Sequence, residues 1–145
     1  MKKLFFLLLL APPCSYADWQ YIKKTSYGDV YWDNANVQKN NNDEYLISIL
    51  TDHGVRQKGI DRIIEGKLVY DTHFQPLSYK STHLIHCKQA KTAWLGVMYF
   101  SDKMAKGRKI FSEVEPNPSW TEDGYIDLGK IYPTLRKLAC NQSIK

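Results

Sequence analysis

The chain is poor in cysteine, with 3 in 145 residues, and it has no apolar run near the roughly 20 residues that a membrane-spanning helix takes. The longest stretch of large apolar residues, Leu4 to Leu10, has seven. No internal repeat or low-complexity segment is present. There is no nucleophile elbow, no glycine-rich phosphate loop and no helical zinc-protease motif, so the familiar routes to acyl transfer, nucleotide chemistry and metal-assisted hydrolysis have no sequence support. Extreme charge is missing too. The formal net charge is +5, and it falls to +3 if Lys2 and Lys3 leave with a leader. That excess is too small and dispersed for a nucleic-acid binder. With 43% apolar and 24% charged residues, the composition is that of a folded globular domain.

Lys2 and Lys3 ahead of the Leu4–Leu10 run make the charged and apolar parts of a secretory signal peptide. Ser15-Tyr16-Ala17 offers small residues at the cleavage positions, which predicts a leader over residues 1–17 and a single domain over 18–145. Cys14 is then discarded. Lipidation at Cys14 is the rival, but Pro12 and Pro13 stand where that processing wants small residues. Two cysteines remain, Cys87 and Cys140, and an oxidising compartment allows them to pair; two buried thiols are the alternative. The protein is therefore expected to be exported, to the periplasm, the cell surface or the medium.

Short segments rich in aromatic and β-branched residues alternate with turn clusters, the mark of an antiparallel sheet. Strands are expected at Trp19–Lys23, Asp29–Trp32, Tyr45–Leu50, Ser78–Cys87, Thr92–Ser101 and Arg108–Val114. The near-continuous apolar run of Tyr45–Leu50 points to burial on both faces. Strict alternation in Thr92–Ser101 would place Trp94, Met98 and Phe100 on one face and Leu95, Val97 and Tyr99 on the other. Residues 55–76 read two ways: Ile60, Ile63 and Ile64 have helical spacing, whereas Lys67–Tyr70 has a strand's composition. Near the end, Pro133 suits a first helical turn, and Ile131, Leu135 and Leu138 share a stripe. Cys140 on this helix would be tied to the strand bearing Cys87.

His83 and His86 are three apart on a strand and so face opposite sides, which excludes joint chelation. No metal and no cofactor are expected. His53 and His73 fall in expected loops, as solvated side chains. Lys103, Lys106, Arg108 and Lys109 are four cations within eight residues, either a docking site for an acidic partner or a solvated hairpin tip. Trp32, Trp120 and Tyr125 are further candidate contacts, because aromatic residues are enriched at binding hot spots; capping the sheet is their alternative role.

In order, Trp19, Tyr31 with Asp33, Ser81-x5-Cys87, the strand ending near Met104 to Gly107, Trp120, and Tyr132-Pro133 leading to Leu138-Ala139-Cys140 resemble the surface-adhesin E family. The resemblance implies an α+β fold: a single antiparallel sheet of about six strands, with a C-terminal helix packed on it and joined by a disulfide. It also implies a non-enzymatic protein-binding function, an adhesin contacting host extracellular-matrix or serum proteins. A periplasmic binding or inhibitor module acting on a cell-envelope protein is the second reading.

Overall fold

Alternation of apolar and polar side chains favours strands, and strand is the predominant regular structure among the described residues. In a computed structural model, which describes residues 17–41, 43–122 and 131–141, ten strands are followed by one α-helix: β1 Trp19–Thr25, β2 Gly28–Asp33, β3 Gln38–Asn41, β4 Glu44–Asp52, β5 Ile60–Ile64, β6 Lys67–Asp71, β7 Ser78–His86, β8 Lys91–Phe100, β9 Lys109–Val114, β10 Trp120–Thr121 and α1 Tyr132–Cys140. Residues 1–16 of the expected leader, Cys14 among them, and the candidate contact Tyr125 lie outside the described residues.

The main sheet is antiparallel and has eight strands rather than about six. The difference has a simple geometric origin. β2 pairs with the Ile49–Asp52 end of β4, and β3 pairs with its Glu44–Leu46 end. Likewise β9 and β10 lie end to end along β8. Two of the six lanes are thus each shared by a pair of short strands. β3 escapes a reading by composition because its Gln38-Lys39-Asn40-Asn41 sequence is wholly exposed.

Residues 55–76 resolve in favour of strands: β5 and β6 form a separate two-stranded sheet. Glu65 and Gly66 connect them with φ of 51° and 76°, the backbone of a two-residue turn whose twist matches that of the flanking strands. The helical spacing of Ile60, Ile63 and Ile64 is not used.

One face of the main sheet carries the core. Val30 and Trp32 of β2, Tyr45, Ile47 and Ile49 of β4, and Ile85 of β7 meet Ile131, the residue that caps the terminal helix, and Tyr132, Leu135 and Ala139 within it. Period 2 in the strands and spacings of four in the helix bring these residues together. Ala139, rather than Leu138, completes the buried stripe, and Leu138 packs at its margin. The disulfide between Cys87 and Cys140, with Cα atoms 5.8 Å apart, joins the end of β7 to the last turn of α1.

The opposite face is open along much of its length. β4 alternates between buried and half-buried up to Ile49, and only at Leu50 and Thr51 does consecutive burial set in. There the segment joining β8 to β9, with a short 3-10 turn at Lys103–Ala105, packs across β4 and β7. The expected two-sided burial of Tyr45–Leu50 is therefore confined to the end of the strand.

β8 is an interior strand, but its faces differ from strict alternation. The pairing with β7 slips between Thr82 and His83, so that Trp94 opposes His83 and Gly96 opposes Thr82. This bulge at Leu95 inverts the phase. Trp94 consequently shares a face with Val97 and Tyr99, not with Met98 and Phe100.

Candidate functional site

The cationic segment is not a free hairpin tip. Ser78 is fully buried; its hydroxyl donates to the Asp102 carbonyl at 2.5 Å and accepts from the Ala105 amide at 3.0 Å. Arg108 N–H donates to Ser101 Oγ, and Ser101 N–H to the Arg108 carbonyl, both at 2.9 Å. Gly107, with φ of 74°, closes the loop where any Cβ would fall 2.2 Å from the Asp102 carboxylate. These bonds fix how the cations leave the sheet.

They do not leave together. Lys103 acts on Asp52, whose carboxyl burial pushes upward while Lys103, the Met104 amide and His53 pull it down. Lys106 is exposed on the loop. Arg108 and Lys109 instead line a cleft of about 420 Å³ with Arg56, His73, Phe74, Gln75, Ser101 and Ile110. Arg56 is held by a 2.9 Å bond from Nη1 to the Gln75 carbonyl. The nearby acid is already engaged: Asp71 accepts from the His73 amide and ring at 2.9 Å and pairs with Arg62 at 2.7 Å. Those bonds, the His73 amide first, hold its carboxyl down at about 2. Among the described residues, Arg56, Arg108 and Lys109 have no carboxylate partner. Such a cleft can take carboxylates, and its guanidinium groups can do so through paired hydrogen bonds.

The aromatic candidates divide differently. Trp32, at 3% exposure, is a core residue and offers nothing to a partner; it lies on the face of β2 that the helix covers. Trp120 is 40% exposed and meets the His86 ring edge-on, with centroids 5.8 Å apart. It sits at the His86 end of the sheet, whereas the cationic cleft sits at the Ser78 end, roughly 25 Å away along a strand of this length. The two belong to different surfaces. Tyr125 lies outside the described residues.

His83 and His86 occupy opposite faces, as the strand period requires. His83 is buried beneath α1, with Nε2 2.8 Å from Ser81 Oγ and Nδ1 3.1 Å from the Tyr132 hydroxyl. Burial alone holds its pKa down near 3. His53 is not the solvated loop residue its neighbours imply: it is 4% exposed, its Nδ1 bonds the Tyr27 carbonyl, and burial lowers its pKa. Among the described residues no three His, Cys, Asp or Glu side chains are grouped to hold a metal, and no helix is long and apolar enough to cross a membrane.

The sequence pattern of surface-adhesin protein E matches residues 19–141. The chain belongs to the surface-adhesin protein E family. Solved structures of Haemophilus influenzae protein E share the fold at low identity. The selenomethionine form is 11% identical with a TM-score of 0.51, covering 87% of this chain and 92% of that one. Protein E from non-typeable H. influenzae is 13% identical with a TM-score of 0.50, covering 92% and 94%. No curated protein sequence matches the chain.

Within this adhesin E domain, Arg56 is a cleft residue that sequence reasoning passes over, and His73 is one that it reads only as a solvated loop side chain. Neither stands in a charge run, and both come from the irregular connections flanking the β5–β6 hairpin. Only the hairpin's position brings them beside Arg108 and Lys109.

Proposed function

We propose that this protein is an exported, non-enzymatic adhesin that binds a protein partner by seating an acidic segment in the cleft of Arg56, His73, Arg108 and Lys109. The observation that carries the reading is that its three permanent cations face one concavity without a carboxylate partner among the described residues. Membership of an adhesin family supports attachment as the purpose. Host matrix or serum proteins are the first partners to test, and a periplasmic envelope protein is the second.

Neutralising the cleft tests this reading. In the Arg108→Gln/Lys109→Gln variant, association with a poly-glutamate probe should slow several-fold at low ionic strength, and its dependence on salt should flatten. The same change at Lys106, which lies outside the cleft, should do much less. Equal on-rates for the wild type and the cleft variant would reject the site. Pull-down with the tagged mature protein from host matrix and from periplasmic extract then distinguishes the two classes of partner.

Export is tested separately. The natively processed protein should begin at Asp18, carry no acyl chain, and have the intact mass of residues 18–145 less two hydrogens. A species beginning at an acylated Cys14 would replace the soluble form with a membrane-anchored one.

A further inference from the structure

The protein already holds one guanidinium by a recognisable device. Arg62 lies over the Phe111 ring at 4.3 Å and the Phe74 ring at 5.3 Å, with the Asp71 carboxylate 2.7 Å from Nη1. Aromatic faces and one carboxylate together hold a cation. A neighbouring cleft repeats these parts without an internal cation. It lies where the β5–β6 hairpin meets the sheet, has a volume of about 200 Å³, and is lined by Tyr27, Tyr70, Tyr79 and Tyr99 with Asp61 and His53.

Three features mark the cleft as built. His53, Tyr79 and Tyr99 form a continuous row, with ring centroids 5.4 and 5.5 Å apart. Tyr70 reaches its place because residue 59 is glycine: a Cβ there would lie 2.8 Å from the Tyr70 ring and 2.7 Å from the Asp71 carbonyl. Asp61 is the one carboxylate in the lining among the described residues, and burial lowers the pKa of His53 beside it. Asp61 is near enough to act on the Tyr99 hydroxyl, which burial and then Tyr79, Glu113 and Asp61 keep protonated. Lys58, adjacent to Gly59, is not among the lining residues. Among the described residues Asp61 has no lysine or arginine partner.

We propose that this tyrosine-lined cleft binds an organic cation, an alkylammonium or guanidinium head placed against Tyr70, Tyr79 and Tyr99 and neutralised by Asp61. Drug-sized ligands occupy about 300 to 1,000 Å³, so a cleft this small takes a single head group. That head belongs either to a small free amine or to one side chain of a protein partner. The site is independent of the cationic cleft, and its ligand has the opposite charge.

The test is an NMR titration of the intact mature protein with tetramethylammonium and, separately, with N-acetyl-arginine N-methylamide, each against equal sodium chloride. Saturable shifts should centre on Tyr70, Tyr79 and Tyr99. Asp61→Asn and Tyr70→Ala, both at exposed positions, should each weaken binding about fivefold while leaving the rest of the spectrum unchanged. Tighter binding of the quaternary ammonium identifies a free amine as the natural source, and tighter binding of the arginine amide identifies a partner side chain. The proposal is overturned if the shifts follow sodium chloride, if both variants bind as the wild type does, or if acetate binds equally well. Neither cationic probe depends on Arg108 or Lys109, so the Arg108→Gln/Lys109→Gln variant should bind both probes normally.

Discussion

Replacing Cys87 and Cys140 together by alanine should lower the free energy of unfolding by about 4 kcal/mol, the chain-entropy value for a loop of this length. The bond spans 53 positions, so it removes many conformations from the unfolded chain. Its placement adds a local reason. α1 has nine residues, fewer than the roughly 12 to 15 at which an isolated helix becomes even marginally stable in water. It persists because Ile131, Tyr132, Leu135 and Ala139 are buried on the sheet, and the disulfide fixes its last turn against the end of β7. Urea unfolding of the oxidised wild type and the variant should give well-separated midpoints. Coincident midpoints would mean that native strain cancels the entropic gain. Loss of helical signal before sheet signal in the variant would locate the weakened contact at α1.

The outline of this fold was legible because its strands alternate and its cysteines are few. The six strands expected from sequence all exist, and the helix begins where Pro133 suits a first turn. What escaped the sequence were features decided by pairing rather than by a segment's own composition. A bulge at Leu95 depends on how β8 meets β7, and it reassigns Trp94 to the face of Val97 and Tyr99. β3 is polar throughout and is a strand only because β4 offers it an edge. The β5–β6 hairpin has three isoleucines that fit a helical stripe equally well; Glu65-Gly66 decides the matter through backbone φ.

The candidate site was legible in part for the same reason. The charge run at Lys103 to Lys109 was visible, but bonds to Ser78 and Ser101 decide which cations point together. Arg56 and His73 join Arg108 and Lys109 from distant sequence, and the four tyrosines of the separate second cleft are likewise brought together only by the fold. Trp32 illustrates the opposite error: aromatic character fits a surface hot spot and a core equally, and position on the helix-covered face of β2 settles it as core.

His83 gives the chain its strongest expected response to acid. It is fully buried, and the groups against it are the Ser81 and Tyr132 hydroxyls, with no carboxylate among its hydrogen-bond partners. Either hydroxyl can donate or accept, so a neutral imidazole is satisfied on both nitrogens whichever carries the proton. A protonated ring would be an uncompensated buried charge. Its pKa is accordingly lowered from 6.5 to about 3 by burial. Between those values the unfolded chain binds a proton that the native protein refuses, so stability is full above pH 6.5 and is lost as pH falls toward 3. From pH 6.5 to pH 5 the loss from this residue alone is about 2 kcal/mol. His53, also lowered by burial, acts in the same direction. Asp71, held at about 2 instead of 3.8, contributes only at lower pH, while the raised carboxyl of Asp52 opposes the trend. The contribution of His83 is isolated by comparing slopes. In His83→Asn, which cannot titrate, unfolding free energy should change distinctly less between pH 6.5 and pH 5 than in the wild type, whatever stability the substitution itself removes. Parallel slopes in the two proteins would show that His83 is protonated in the native state, and the buried hydroxyl network would then have to be accommodating the charge.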